Sequence, residues 1–204
     1  TRRSSDLYFA KERVYMSKFL VGVTGASGTI YASRLLYHLK RLNHSTSLVM
    51  TETAKQVAAY EGFSDLSNFA DETLSINDFF SSVASGNGNF QGMAILPCSM
   101  GTLGKLASGI ADNLLVRAAD VCLKEKRSLV LVPREMPLHA IHLENMLKLS
   151  KIGACIIPAT PHFYAFPKTI EDLVDSVVSK VLTHLGVPND IVPVWGDSHV
   201  KKDS

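Results

Sequence analysis

Five short apolar runs, separated by stretches of helical periodicity, constrain the fold of this chain more than any other feature. They occupy 18–24, 47–51 (Ser-Leu-Val-Met-Thr), 93–97 (Met-Ala-Ile-Leu-Pro), 128–133 (Ser-Leu-Val-Leu-Val-Pro) and 154–158 (Ala-Cys-Ile-Ile-Pro). Continuous Val/Ile/Leu runs of this length suit strands buried on both faces. Helical patterns lie between them at 30–42, 53–60, 101–107 with 113–124, and 138–149. A last one at 169–185 places Ile170, Leu173, Val174, Val177, Val178, Val181 and Leu182 at helical spacing. Alternating βα units with short connections predict an α/β fold: a three-layer sandwich in one domain, with a Rossmann-like, flavodoxin-like parallel sheet. Residues 62–92 break the rhythm. Their polar, glycine-rich Ser85-Gly86-Asn87-Gly88-Asn89 reads as part of a surface excursion or β-hairpin.

A chain of 204 residues can bury one good core. The α/β domain is expected over 18–187, with a C-terminal tail at 188–204. Residues 1–17 mix Arg2, Arg3, Lys11, Glu12 and Arg13 with few core candidates. Met16 stands just before the first strand, so 1–17 reads as a leader or a vector-derived segment; Asp6 and Glu12 suit an organellar presequence poorly. The formal net charge of +2 gives no general electrostatic case for nucleic acid or membrane partners. No apolar run approaches the ~18 residues of a membrane span. Cys98, Cys122 and Cys155 form no C-x-x-C pair and read as thiols of a reducing compartment, hence a cytoplasmic protein.

Chemistry concentrates where the runs end. Thr24-Gly25-Ala26-Ser27-Gly28 follows the first strand and opens the first helix. Glycines let the backbone approach a ligand, and a helix N-terminus offers unpaired N–H groups suited to phosphate. The glycines at 22, 25 and 28 do not make the dinucleotide fingerprint G-x-G-x-x-G, and no P-loop Lys follows. The plainer reading is a tight βα turn with Ser27 capping the helix. In open α/β sheets the ligand lies outside the carboxyl ends of the strands. Here those ends carry Ser27, Thr51, Cys98-Ser99-Met100-Gly101-Thr102, Arg134-Glu135 and Pro161-His162-Phe163-Tyr164. Short hydroxyls with one Arg, one Glu and one Tyr on one edge suit a phosphate-bearing ligand. Singly, Ser99 and Thr102 could be helix caps, and Arg134–Glu135 a surface pair.

Other features point less sharply. His139 and His142 lie three apart near Glu135 and Glu144, but no third ligand recurs at metal-site spacing. Lys124-Glu125-Lys126-Arg127 is a solvated helix end that immediately precedes the strand ending in Arg134. Trp195, in a proline-rich tail, either docks that tail on the core or a partner subunit, or covers a ligand.

Several segments together resemble one family. They are Val23-Thr24-Gly25-Ala26-Ser27-Gly28, Leu96-Pro97-Cys98-Ser99-Met100-Gly101-Thr102-Leu103, Arg117-Ala118-Ala119-Asp120-Val121 and Leu123-Lys124-Glu125-Lys126-Arg127. Leu131-Val132-Pro133-Arg134-Glu135, His142-Leu143-Glu144-Asn145-Met146 and Pro161-His162-Phe163-Tyr164 follow in the same order. Over roughly 18–195 the chain resembles the UbiX flavin prenyltransferases, formerly described as phenylacrylic or 3-octaprenyl-4-hydroxybenzoate decarboxylases. The resemblance implies a metal-independent transferase that joins a dimethylallyl group from dimethylallyl phosphate to N5 and C6 of reduced FMN. Prenylated FMN then serves UbiD-type decarboxylases, and the enzyme assembles as a homododecamer.

By position, the resemblance implies that Gly25, Ala26, Ser27 and Thr51 cradle the flavin, and that Ser99, Met100, Gly101 and Thr102 bind its phosphate. Arg134 would lie between flavin and prenyl phosphate, and Tyr164 and Lys180 would grip that phosphate. Lys124 and Glu61 match residues that reach a site from neighbouring subunits. Glu135 would be the acid/base, assisted by Ser27, and Trp195 would close the pocket. Departures are Thr51 for Ser, Lys180 for Arg, Gly101 for Lys, Phe166 for a polar residue, and His162 for a small one; they bear on monophosphate against diphosphate preference. Two rivals remain at this level: an NAD-dependent oxidoreductase with Glu52 reading the ribose, and a non-enzymatic FMN carrier.

Overall fold

The computed structural model describes residues 17–196, so most of the leader and the end of the tail lie outside the described residues. The chain runs β1 (Lys18–Val23), α1 (Thr29–Arg41), β2 (Ser45–Met50), α2 (Glu52–Tyr60), β3 (Glu72–Leu74), β4 (Gly92–Cys98), α3 (Met100–Ala107), α4 (Leu114–Lys124), β5 (Ser128–Pro133), α5 (Ala140–Lys151), β6 (Cys155–Ile156) and α6 (Ile170–His184). All six strands are parallel, in the order β3-β2-β1-β4-β5-β6. Without the three-residue edge strand β3, the order is that of a flavodoxin-like sheet.

Strand side chains alternate between two helical layers. Phe19, Val21, Val23, Leu48, Ala94, Leu96, Val130 and Val132 pack under α1, α2 and α6. Leu20, Val49, Met93, Ile95, Cys98, Leu129 and Leu131 pack under α3, α4 and α5. Burial on both faces is why these strands read as unbroken apolar runs. In α1, Ala32, Leu35, Leu36 and Leu39 sit at i, i+3, i+4 and i+7 and are fully buried. At the start of α6, Thr169 accepts a hydrogen bond from Asp172 N while Asp172 accepts from Thr169 N, a reciprocal cap that fixes the entry of the last helix.

Two sequence expectations need correction. Residues 62–92 are no hairpin: β3 pairs parallel with β2 at the sheet edge. The last strand is two half-buried residues, not a fully buried five-residue run. It needs no more, because it borders only β5.

A polar cluster joins α1 to α6. Arg34 Nε donates to Asp175 Oδ1 at 2.8 Å, Arg34 also pairs with Asp175 through its terminal nitrogen, and His38 Nε2 lies 3.1 Å from Asp175 Oδ2. Burial opposes the Asp175 charge, but Arg34 and His38 outweigh it and hold this carboxyl at about 2. A folded-state value below the usual 3.8 stabilises the fold above pH ~4, and that contribution is lost as pH falls towards 2. Asp175→Asn is therefore expected to lower stability at pH 7 and flatten its fall between pH 4 and 2. Urea midpoints at pH 7, 4 and 2.5 check this, and parallel curves for both proteins would contradict it.

Candidate active site

The sheet changes direction of winding between β1 and β4: from β1 the chain goes outward to β2, from β4 outward to β5. Such a switch point opens a crevice at the strands' carboxyl ends. One side chain closes its floor. Thr24 Oγ1 donates to Pro97 O at 2.8 Å and accepts from Ser99 N at 2.7 Å, from a position that is 1% exposed. The turn after β1 and the start of α3 are thus held as one unit. The sequence places Thr24 in the glycine-rich stretch but gives no signal of this clamp.

Around that floor the structure gathers most of the expected residues. Gly25 must lack a Cβ: one there would stand 2.5 Å from Thr53 Cγ2 and 2.8 Å from Thr53 Cβ. Thr53 presses the turn from α2, leaving Ala26 buried and Ser27 exposed at the crevice. Thr51 N donates to Val23 O at 3.1 Å, and the Thr51 hydroxyl caps α2 by accepting from Ala54 N. Ser99 Oγ accepts from Thr102 N, capping α3, and donates to Thr102 Oγ1 at 3.1 Å, which fixes the orientation of both hydroxyls. At Gly101 a Cβ would meet nothing within 4 Å, so the α3 backbone is open to an approaching group. Arg134 closes the ring: its N donates to Cys98 O, and its Nε donates to Ser27 O at 3.1 Å.

Glu61 closes the turn from the end of α2. Its carboxylate accepts from Gly28 N at 2.9 Å and Thr29 N at 2.8 Å of its own chain, filling the N-terminus of α1. Burial raises its pKa, yet Ser27, Thr29 and Gly28 together hold it below the ordinary carboxylate range. Within the protomer, Glu61 therefore serves the Ser27 turn of its own chain. A pocket of about 390 Å³ lies beside it, lined by Ser27, Gln56, Val57, Tyr60 and Glu61. Gln56, Val57 and Tyr60 were not anticipated, because nothing in α2's pattern separates a pocket wall from a solvent face.

The loop after β6 approaches from the β5 side, where Ala159 N donates to Pro133 O at 3.0 Å. It carries Tyr164, stacked on His162 with ring centroids 3.9 Å apart and meeting Trp195 edge-on at 5.0 Å. Lys180 on α6 is exposed and near enough to oppose protonation of His162. Trp195 thus docks the tail on this loop, 75% exposed. Glu135 is exposed at the end of β5, and its carboxylate accepts from Met136 N at 3.1 Å. It makes no ion pair with Arg134 among the described residues, so the two are not the plain surface pair the sequence allowed.

Lys124 is the residue the protomer does not bring in. It ends α4, which leads into the amino end of β5, and pairs with Glu125. That is the opposite edge of the sheet from Ser27. His139 accepts from His142 N at the start of α5, so the two imidazoles stack at a helix cap.

Comparison with known proteins shows the family. A family model described as Flavoprotein matches residues 10–182. The chain is similar to the flavin prenyltransferase UbiX of Alkalihalophilus pseudofirmus, with 49% identity over 190 residues that cover 87% of this chain and 95% of the relative. It is similar to the crystal structure of AnUbiX in complex with FMN and dimethylallyl pyrophosphate (TM-score 0.84, 40% identity, 88% of this chain and 97% of that one). It is also similar to a dodecameric FMN-dependent UbiX-like decarboxylase from Escherichia coli O157:H7 (TM-score 0.84, 43% identity, 87% and 98% covered).

Proposed function

The chain belongs to the UbiX family of flavin prenyltransferases, and on that premise we propose that it transfers a dimethylallyl group from dimethylallyl phosphate to N5 and C6 of reduced FMN. The observation that carries this reading is the Thr24 clamp, which sets a glycine turn and an open helix N-terminus side by side at the switch point. The fit to FMN is local: Gly101 leaves the start of α3 bare where a phosphate needs close approach, and Gly25 lets Thr53 pack the turn so tightly that Ser27 stands exposed at the crevice. Gly25, Ala26, Ser27 and Thr51 hold the ring, while Ser99, Met100, Gly101 and Thr102 hold the phosphate. One terminal phosphate fits the single N-terminus of α3, and the absence of the dinucleotide fingerprint disfavours NAD.

Reduced flavin supplies the electron-rich nitrogen and carbon that the allyl group joins. The chain's own residues manage the departing phosphate. As the allylic C–O bond breaks, its electron pair goes to the phosphate oxygen, and Arg134, Lys180 and Tyr164 stabilise that charge. Glu135 gives a proton to the phosphate and accepts one at ring closure, assisted by Ser27, whose hydroxyl pairs with Glu61. Trp195 covers the site. Lys124 completes the site of an adjacent copy in a homo-oligomer, a dodecamer by analogy with the E. coli protein. The product serves a UbiD-type decarboxylase in the same reducing, cytoplasmic compartment.

Binding tests the cofactor assignment. The protein is expected to retain FMN over FAD or NAD, and Ser99→Ala with Thr102→Ala to weaken FMN binding about tenfold by loosening the α3 cap. Flavin fluorescence titration reads this. Unchanged affinity would move the phosphate site elsewhere.

A further inference from the structure

We propose that His162 is a positioning residue of the prenyl-phosphate subsite, which orients Tyr164 by stacking and takes up a proton when the substrate phosphate binds. This rests on the reaction proposed above and adds a chemically distinct group to it. Tyr164 is held on two sides, by His162 face to face with planes 10° apart and by Trp195 at right angles. Removing the imidazole would free one face of the phenol ring. His162 is itself fixed from behind: its N donates to Ser176 Oγ at 3.3 Å, and its buried Nδ1 has no hydrogen-bond partner among the described residues. Ser176 and Lys180 lie one turn apart on α6, so His162 and Lys180 share one face of that helix.

The charges around His162 explain why it stays neutral until a phosphate arrives. Lys168, Asp172 and Asp175 line the cleft behind it together with Phe166 and Ile191. Asp172 is engaged by Lys168 N and Thr169 N, and Asp175 by Arg34 and His38. Neither carboxylate hydrogen-bonds the His162 imidazole among the described residues. Burial and then the Lys180 ammonium hold the His162 pKa below its ordinary value. A phosphate dianion between Lys180 and Tyr164 reverses this balance, because it neutralises Lys180 and attracts the imidazolium. Binding then draws in a proton, and affinity rises as pH falls towards the pKa of free His162. This second cation offsets the loss of the bidentate grip where Lys180 stands in place of Arg.

Steady-state kinetics with dimethylallyl monophosphate from pH 8 to 5.5 test the proposal, comparing wild type with His162→Phe and His162→Ala. Phe keeps the stack without the titration, and the ratio of variant to wild type cancels the substrate's own ionisation. The His162→Phe ratio of KM is expected near 1 at pH 8 and about tenfold at pH 5.5, equivalent to one pKa unit of coupling. The change should be carried by KM rather than kcat. His162→Ala is expected to raise KM at every pH, since it also frees Tyr164. The same ratio should appear in the Kd of inorganic phosphate on FMN-loaded protein, which requires no turnover. A ratio for His162→Phe that is flat with pH, in both KM and phosphate Kd, overturns the proposal. A protein that binds phosphate with this pH signature yet makes no prenylated flavin would instead overturn the proposed reaction.

Discussion

Glu135→Gln is expected to leave FMN binding nearly intact while slowing formation of prenylated flavin about 100-fold or more. The side chain stands exposed at the carboxyl end of β5, directly after Arg134, and one carboxylate oxygen accepts from Met136 N. An amide can keep that shape and that hydrogen bond, but it cannot give up and regain a proton during turnover. Loss of a positioned acid/base costs on the order of 100- to 10,000-fold. Because Glu135 makes no hydrogen bond to the Gly25 turn or the α3 cap among the described residues, the FMN cradle should survive the change. Single-turnover measurement with preloaded reduced FMN separates the two effects. Normal turnover would assign the proton transfer to the phosphate itself.

Thr24→Val is expected to damage both stability and flavin binding. Valine matches threonine in shape but loses one donor and one acceptor, leaving Ser99 N without its 2.7 Å partner. Pro97 O keeps only the longer bond from Thr24 N at 3.3 Å. An unpaired buried amide costs about 1–3 kcal/mol. That loss falls where the β1 turn and α3 must stay in register, so FMN affinity should fall at least about tenfold, the equivalent of 1.4 kcal/mol. Thr24→Ser should restore most of both, because it returns the hydroxyl. Urea unfolding and flavin titration of the two variants check this. A Val variant with wild-type affinity would show that the clamp is only structural.

Strands buried on both faces leave unbroken apolar runs, so β1, β2, β4 and β5 were legible within a residue or two at most ends. The edge strand β3 was not. Glu72 and Thr73 are exposed and Leu74 only half-buried, so three residues pairing by backbone alone carry no hydrophobic signal. The site was legible as a set of residue types at strand ends, since parallel topology alone brings those ends together. Their connections were not. Thr24 looks like any small residue of a tight turn until its hydroxyl is found between Pro97 O and Ser99 N. Glu61 sits 33 residues from Gly28, and only the packing of α2 over the turn turns it inward. His38 and Asp175 are 137 positions apart in a pattern that otherwise reads as two ordinary amphipathic helices, so their pairing is a tertiary fact.

The central claim is that this chain makes a carbon–nitrogen and a carbon–carbon bond to flavin, and the mass of the flavin tests it most directly. Protein, reduced FMN and dimethylallyl monophosphate are mixed without oxygen, and the extracted flavin is weighed by mass spectrometry. The account predicts an FMN species heavier by one dimethylallyl group, formed with one equivalent of inorganic phosphate and lost in Glu135→Gln. Unmodified FMN recovered with wild-type protein, under conditions where both ligands are shown to bind, would contradict it.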